Sequence, residues 1–389
     1  MTEMVHGARA ARPGDPVLPR WWRSVDSWSI AAVVALCAIG LLLGLAASPP
    51  LAERNGHAPF YYVTKQAAYV TVSLCIMLVA SMLSPRMIRR LAVLGFLAVL
   101  VALIFLPVFG TDFGKGAVRW YSLGFAALQP SEFLKPLFIV FAAWLMSASA
   151  ELDGPPGTAM SLGTALVVAG LLILQPDFGQ AVLILFGWAV MYFVAGAPML
   201  LLLVVAAAAL GAGAMAYSLS DHFARRIDGF LAETVDPSSQ LGFASNAIRE
   251  GGYFGVGVGE GQVKWSLPDA HTDFIIAVAA EEYGLMLVLA VIVLYLVITV
   301  RAFLRLIVER DPFIRFAGCG IAALFGAQAI INMGVAVRLL PAKGMTLPFV
   351  SYGGSSMLAG GLALGILLAL TRERPQGAMA DLLRGRVPG

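Results

Sequence analysis

Charge is what this chain has least of. Only 13% of its 389 residues are Asp, Glu, Lys or Arg, roughly half the share of a soluble globular domain. With 59% hydrophobic residues and a mean hydropathy of +0.84, that scarcity excludes an ordinary soluble fold. Cysteine is scarce too. Cys37, Cys75 and Cys319 each stand alone in an apolar run, as small buried hydrophobes do, which excludes a disulfide framework and a C-x-x-C zinc site. Four scattered histidines, His6, His57, His222 and His271, make no zinc cluster. The net charge of +3 is modest, and the arginines cluster beside apolar runs, so nucleic acid is not an expected partner. A Walker A motif is missing, which argues against ATP hydrolysis by this chain. Gly255, Gly257 and Gly259 imitate a dinucleotide fingerprint but open no βαβ unit.

What the chain has in abundance is apolar runs of about 17–25 residues, each long enough to cross a hydrocarbon core. They predict an all-α, polytopic integral membrane protein with about ten transmembrane helices, near 28–47, 63–83, 91–109, 131–148, 159–175, 178–195, 199–219, 274–300, 314–336 and 352–371. Residues 1–27 and 372–389 read as tails around one membrane domain, 28–371. The first run is long for a signal-peptide core and lacks a small-residue cleavage site, so it reads as an uncleaved span. Trp21, Trp22 and Trp28 are expected at headgroup level. An even number of spans puts both termini on one side. Placing them in the cytoplasm puts 15 of the 26 Lys and Arg residues inside, as the positive-inside rule prefers. The polar loops at about 110–130, 220–273 and 337–351 then face outward, the longest one preceding the eighth span.

These loops carry the residues fit for chemistry. The segment Gly251–Gly284 is glycine-rich and brings Asp273 to the mouth of the eighth span, with Asp269, Glu281 and Glu282 nearby. Carboxylates at this depth lose hydration that lipid does not replace, so a chain that collects them here uses them. Asp273 suits a general base for a hydroxyl and equally suits a helix cap. Glu281 lies about 80° and Glu282 about 180° round the helix from Asp273, so they face different partners, and ion pairs to neighbouring spans are the plainer reading. Arg119 beside Trp120, with Lys115 just upstream, suits a pyrophosphate with a sugar above it, or a membrane-interface anchor. Glu132 and Lys135, three apart, have the spacing of an internal ion pair. Lys343 and the run Ser351-Tyr352-Gly353-Gly354-Ser355-Ser356 flank the tenth span, where backbone N–H groups suit an anion or simply form a loop–helix junction.

Three stretches, GAVRWYSLGFAALQPSEFLK, LPDAHTDFIIAVAAEEYG and LPFVSYGGSS, in this order on a ten-span chain, resemble the SEDS family (shape, elongation, division, sporulation) over about residues 25–372. The resemblance implies a peptidoglycan glycosyltransferase that polymerises lipid II into β-1,4 glycan strands at the outer face of the cytoplasmic membrane. It also implies that Asp273, within His271-Thr272-Asp273-Phe274, is the catalytic aspartate. Arg119, Trp120, Lys135, Lys343, His271 and Ser351 become substrate-binding candidates, and Glu132, Glu281 and Glu282 supporting ones. No metal ligand is assigned, though a divalent cation, Mg2+ or Mn2+, could share the leaving pyrophosphate's charge.

The stretch from Pro341 to Pro348 and the Gln262-Val263-Lys264 spacing resemble division-type members more than elongation-type ones, while Lys264-Trp265-Ser266 departs from the commoner Lys-x-Tyr. A division-type member implies a class B penicillin-binding protein as partner (an FtsI-like septal transpeptidase), other divisome proteins, and concentration at the septum. A lipid II flippase is the competing reading, since intramembrane charges suit transport too. The outward placement of the polar motifs favours the enzyme.

Overall fold

The structure, a computed structural model, describes residues 17–112, 118–124, 126–149, 151, 153–219, 221–232, 239–267, 270–341 and 344–373. The helices are α1 (Val17–Ser24), α2 (Ser27–Ala47), α3 (Pro49–Arg54), α4 (Tyr61–Met82), α5 (Pro85–Phe109), α6 (Pro130–Ala148), α7 (Gly157–Leu174), α8 (Phe178–Val194), α9 (Met199–Leu219), α10 (Asp221–Leu231), α11 (Gln240–Gly251), α12 (Val263–Ser266), α13 (Ile275–Ile307), α14 (Pro312–Ala336) and α15 (Gly354–Leu370). Eight of them are long and apolar enough to cross a membrane, and the shorter apolar helices α8 and α15 occupy the positions of the sixth and tenth expected runs. The all-α expectation has one small exception among the described residues. An antiparallel hairpin, β1 (Tyr121–Ser122) with β2 (Ala127–Leu128), sits in the loop before α6.

Local chemistry sets several helix starts. Pro85 and Pro312 occupy first-turn positions, where the missing N–H costs nothing. Ser84 caps α5 by accepting from the Met87 N–H, and Asp311 caps α14 by accepting from Phe313 and Ile314. The helices α6 and α14 form the centre of the bundle, with α8, α13 and α15 packed around α14. Close approach relies on small residues, as is usual between membrane helices. At Gly361 of α15 a Cβ would lie 2.4 Å from the Ser73 carbonyl of α4, and Ser73 Oγ donates back to Met357 O at 2.6 Å. The helix α9 contributes no buried residue to the bundle.

One end of the bundle is tied by charge. Asp26, 3% exposed, accepts two hydrogen bonds from Arg301 (2.8 and 2.7 Å) and one from Ser29 (2.8 Å), with Arg305 at 3.6 Å. Arg305 also donates to the Thr371 carbonyl, so the start of α2 and the ends of α13 and α15 meet here. The α1 segment belongs to this end as well and corrects one expectation. Trp21 is buried, its indole N–H donating to Ser81 Oγ at 2.9 Å, while Trp22 and Trp28 are exposed as interfacial rings would be. The candidate functional residues gather at the opposite end.

Candidate active site

Residues 270–274 form a turn leading into α13. The N-cap position belongs to Phe274, with no side-chain cap, so Asp273 is not the cap residue of this helix. The turn is held through three successive carbonyls. Tyr352 N–H donates to His271 O (2.9 Å), Ser351 Oγ to Thr272 O (2.5 Å) and Asn332 Nδ2 to Asp273 O (3.0 Å). A Cβ built on Gly344 would lie 3.4 Å from Asp273 Oδ2, so the carboxylate looks onto the segment that follows Lys343. Gly344 has φ +60°, a left-handed conformation suited to glycine. Lys343 lies outside the described residues, as do Lys115 and Asp269.

Ser351 is 2% exposed, and its one proton goes to Thr272 O while its oxygen accepts from Leu347 N–H. It therefore staples the site instead of presenting a hydroxyl to a ligand. Ser355 does the same for the hairpin, donating to Ala127 O (2.8 Å) and accepting from Gln129 N–H (2.9 Å). The His271 ring packs 5.6 Å from Tyr352 and 6.0 Å from Tyr62, which brings the start of α4 beside the Asp273 turn.

The expected Glu132–Lys135 pair is present, at 2.8 Å, with both residues 5% exposed. Burial makes the remaining partners matter, because each unsatisfied group would cost its full desolvation. Gln180 of α8 donates to Glu132 Oε1 (2.7 Å), and Gln328 of α14 accepts from Lys135 (2.9 Å) while donating to Thr346 O (3.0 Å). The pair lines a cavity of about 40 Å³ together with Gln328, Phe325, Pro348, Ser356 and Gly360.

Arg119 sits half-buried and spends its guanidinium on backbone. Its Nε donates to Gln175 O (3.2 Å) and its Nη2 to Pro176 O (2.6 Å), locking the turn between α7 and α8. Trp120, which precedes β1, is bridged to Thr111 just beyond the end of α5. The next residue of the locked turn, Asp177, is 7% exposed. Burial pushes its carboxyl up from the usual range, and Glu132 adds to that, although Arg119 and Lys135 pull the other way.

Packing explains the glycine-rich segment. The helix α13 breaks at Gly284 (φ 75°, ψ −174°), and residues 252–257 fill the break. Leu285 and Met286 N–H donate to the Gly252 and Tyr253 carbonyls, and Val256 and Gly257 N–H to those of Glu281 and Glu282. A Cβ at Gly255 would stand 2.2 Å from Glu282 O, which only glycine avoids. Glu281 and Glu282, each 1% exposed, then face the same loop: Glu281 Oε1 accepts from Gln262 N–H (2.6 Å) and Glu282 Oε1 from Lys264 Nζ (2.5 Å). Glu282 thus pairs with Lys264 of the loop that precedes α13, where a neighbouring span was the expected partner.

Four polar residues near the site went unmarked in the sequence reading: Asp177, Gln180, Gln328 and Asn332. A detectable signal existed for two of them. Gln328 and Asn332 are amides four apart in an otherwise apolar run, hence on one helix face. Among the described residues no group of three or more His, Cys, Asp or Glu side chains is placed to hold a metal ion.

Fold and site together define a multi-pass helical membrane protein with an acidic turn at one end of its bundle and a buried ion pair beside it. Residues 27–376 match the family FTSW_RODA_SPOVE, described as "Cell cycle protein". The chain belongs to this family, the SEDS proteins. It is 41% identical over 379 residues to a "Probable peptidoglycan glycosyltransferase FtsW" of Caulobacter vibrioides, covering 97% of each chain. A protein of the same name from Coxiella burnetii is 36% identical, covering 90% of this chain and 97% of that one. Among solved structures, a chain from "Structural coordination of polymerization and crosslinking by a peptidoglycan synthase complex" superposes with a TM-score of 0.73 at 30% identity, covering 89% of this chain and 97% of that one. The rod shape determining protein RodA of Thermus thermophilus superposes with a TM-score of 0.66 at 27% identity, covering 90% and 97%.

Proposed function

We propose that this chain is a division-type peptidoglycan glycosyltransferase that polymerises lipid II at the outer face of the cytoplasmic membrane. The observation that carries this reading is the full-length likeness to proteins named peptidoglycan glycosyltransferase, joined to an Asp273 turn stapled through three carbonyls. The acceptor presents the C4 hydroxyl of its GlcNAc. The growing glycan presents an anomeric carbon that bears polyprenyl pyrophosphate. Asp273 takes the hydroxyl proton as the new C–O bond forms and the bond to pyrophosphate breaks, and inversion of the α-linked donor gives a β-1,4 linkage.

Negative charge gathers on the departing pyrophosphate, so cations fixed beforehand at that point lower the barrier. Lys135 and Lys343 take that role in this reading. Arg119, committed to the carbonyls of residues 175 and 176, acts mainly by holding the α7–α8 turn, with its outer edge and Trp120 facing the sugar. His271 borders the acceptor side. Glu132 keeps Lys135 in place, and Glu281 and Glu282 seat the loop that precedes the Asp273 turn.

Both termini lie in the cytoplasm, and the protein acts at the septum with a class B penicillin-binding protein and other divisome proteins. The test is polymerisation of lipid II by the chain co-purified with its septal transpeptidase, wild type beside Asp273→Asn. Glycan strands from wild type alone, with both proteins folded, support the reading. Strands from both remove Asp273 as the base, and strands from neither, where a related pair works, bring lipid II transport forward.

A further inference from the structure

The residue proposed as base is held at its backbone carbonyl by an amide that no chemistry above requires. Asn332 lies on α14, 2% exposed, four residues after Gln328 and therefore on the same face. Its Nδ2 donates to two carbonyls from different parts of the chain, Asp273 O (3.0 Å) and Met345 O (2.5 Å). Gln328 repeats the arrangement one turn earlier, donating to Thr346 O (3.0 Å) and accepting from Lys135 (2.9 Å). One helix face thus reads a line of buried groups running from the Glu132–Lys135 pair, through the backbone of 345–346, to the Asp273 turn. Asn332 Oδ1 makes no hydrogen bond among the described residues although it is buried. An amide kept with an unsatisfied acceptor is kept for its donors.

We infer that Asn332 is a positioning residue that sets the distance between the Asp273 carboxylate and the segment carrying Gly344, with Gln328 extending that alignment to Lys135. The two N–H groups of one planar amide fix two carbonyls at once. That tie holds the Asp273 turn and the 344–346 segment in one geometry, and Gly344 is the residue that Asp273 Oδ2 faces. Other side chains of comparable volume lack this pair of donors. A serine reaches one carbonyl, an alanine neither, and an aspartate at this position aims negative charge at both.

This inference rests on Asp273 as the reacting carboxylate, and its test separates the two ideas. Wild type, Asn332→Ser, Asn332→Asp, Asp273→Asn and a control, Ser161→Ala, are each purified with the septal transpeptidase and assayed for lipid II polymerisation across pH. The control removes a buried hydrogen bond between α7 and α8, Trp188 Nε1 to Ser161 Oγ at 3.0 Å. Thermal unfolding is measured on the same preparations. The expected result for Asn332→Ser is a kcat lower by about 100-fold, as a misplacement of about 1 Å costs, with KM for lipid II within about twofold of wild type. The acidic limb of its pH–rate profile moves, because the base sits in altered surroundings. Asn332→Asp loses more, and Ser161→Ala keeps the wild-type rate and profile at a matched loss of melting temperature.

If Asn332→Ser keeps the wild-type pH profile and loses only what its melting temperature explains, as the control does, the positioning role is overturned. A rise in KM with kcat intact overturns it too. If Asp273→Asn polymerises normally, the base assignment falls first, whatever Asn332 shows.

Discussion

Lys135→Met is the substitution whose consequences the structure fixes most tightly. It deletes an ammonium 2.8 Å from Glu132 Oε2 and 2.9 Å from Gln328 Oε1. Glu132 then keeps, among the described residues, only the 2.7 Å bond from Gln180, at 5% exposure. Removing one partner of a buried pair costs about 3–5 kcal/mol, because the remaining charge has neither water nor a counter-ion. That is about two to three and a half powers of ten in the folded-to-unfolded ratio. The double variant Lys135→Met/Glu132→Gln removes the orphaned charge and keeps a group able to meet Gln180, so most of the loss returns. Unfolding in mixed micelles followed by tryptophan fluorescence reads these values, and polymerisation with the septal transpeptidase reads function. A single variant as stable as wild type, or a double one as unstable as the single, refutes the reasoning. If the stable double variant still polymerises at the wild-type rate, Lys135 has no part in binding pyrophosphate.

Two further perturbations probe the two ends of the bundle. In Gly284→Val a Cβ would stand 2.4 Å from the Tyr253 carbonyl at φ 75°, so the loop should leave the break in α13. Backbone strain alone is about 1–3 kcal/mol; faster proteolysis within residues 252–262 is the expected result, and an unchanged rate of cutting counts against the docking. At the other end, burial opposes charge on Asp26, but hydrogen bonds from Arg301 and Ser29 and the fields of Arg305 and Arg301 outweigh it, holding the carboxyl below its ordinary value of 3.8. A lowered carboxyl stabilises the fold above its unfolded value and loses that contribution as pH falls through the folded one. Asp26→Asn should therefore melt lower than wild type at neutral pH, with the gap closing below about pH 4; a gap that stays constant into acid would show that the clamp is not electrostatic.

Much of the architecture was legible because it depends on local properties. Apolar run length, proline and glycine at the breaks, and Arg-rich edges located α2, α4 to α9 and α13 to α15 to within seven residues at each end, but not the short α3. The Glu132–Lys135 pair was legible for the same reason, being three residues apart on one helix. Asp273 was marked by its polarity at a span boundary and by the motif around it. Less legible was what each polar group meets. Arg119 suggested an anion site, yet it turns to two carbonyls more than fifty residues away. Glu282 suggested a neighbouring span and found Lys264 in the loop. Trp21 suggested the interface and found Ser81.

Sequence by itself thus determined the class of protein, the stretches able to span a bilayer and the family motifs in the polar loops. The first two follow from hydrophobicity and spacing within one segment, and the third from the likeness of short motifs to those of known relatives. Tertiary structure alone decided that Asn332 and Gln328 align the Asp273 turn with Lys135, and that a glycine-lined loop seats itself in the broken α13. The reason is that a buried donor must find whichever carbonyl the packing of other helices leaves unsatisfied. Spacing along one segment holds no record of that carbonyl.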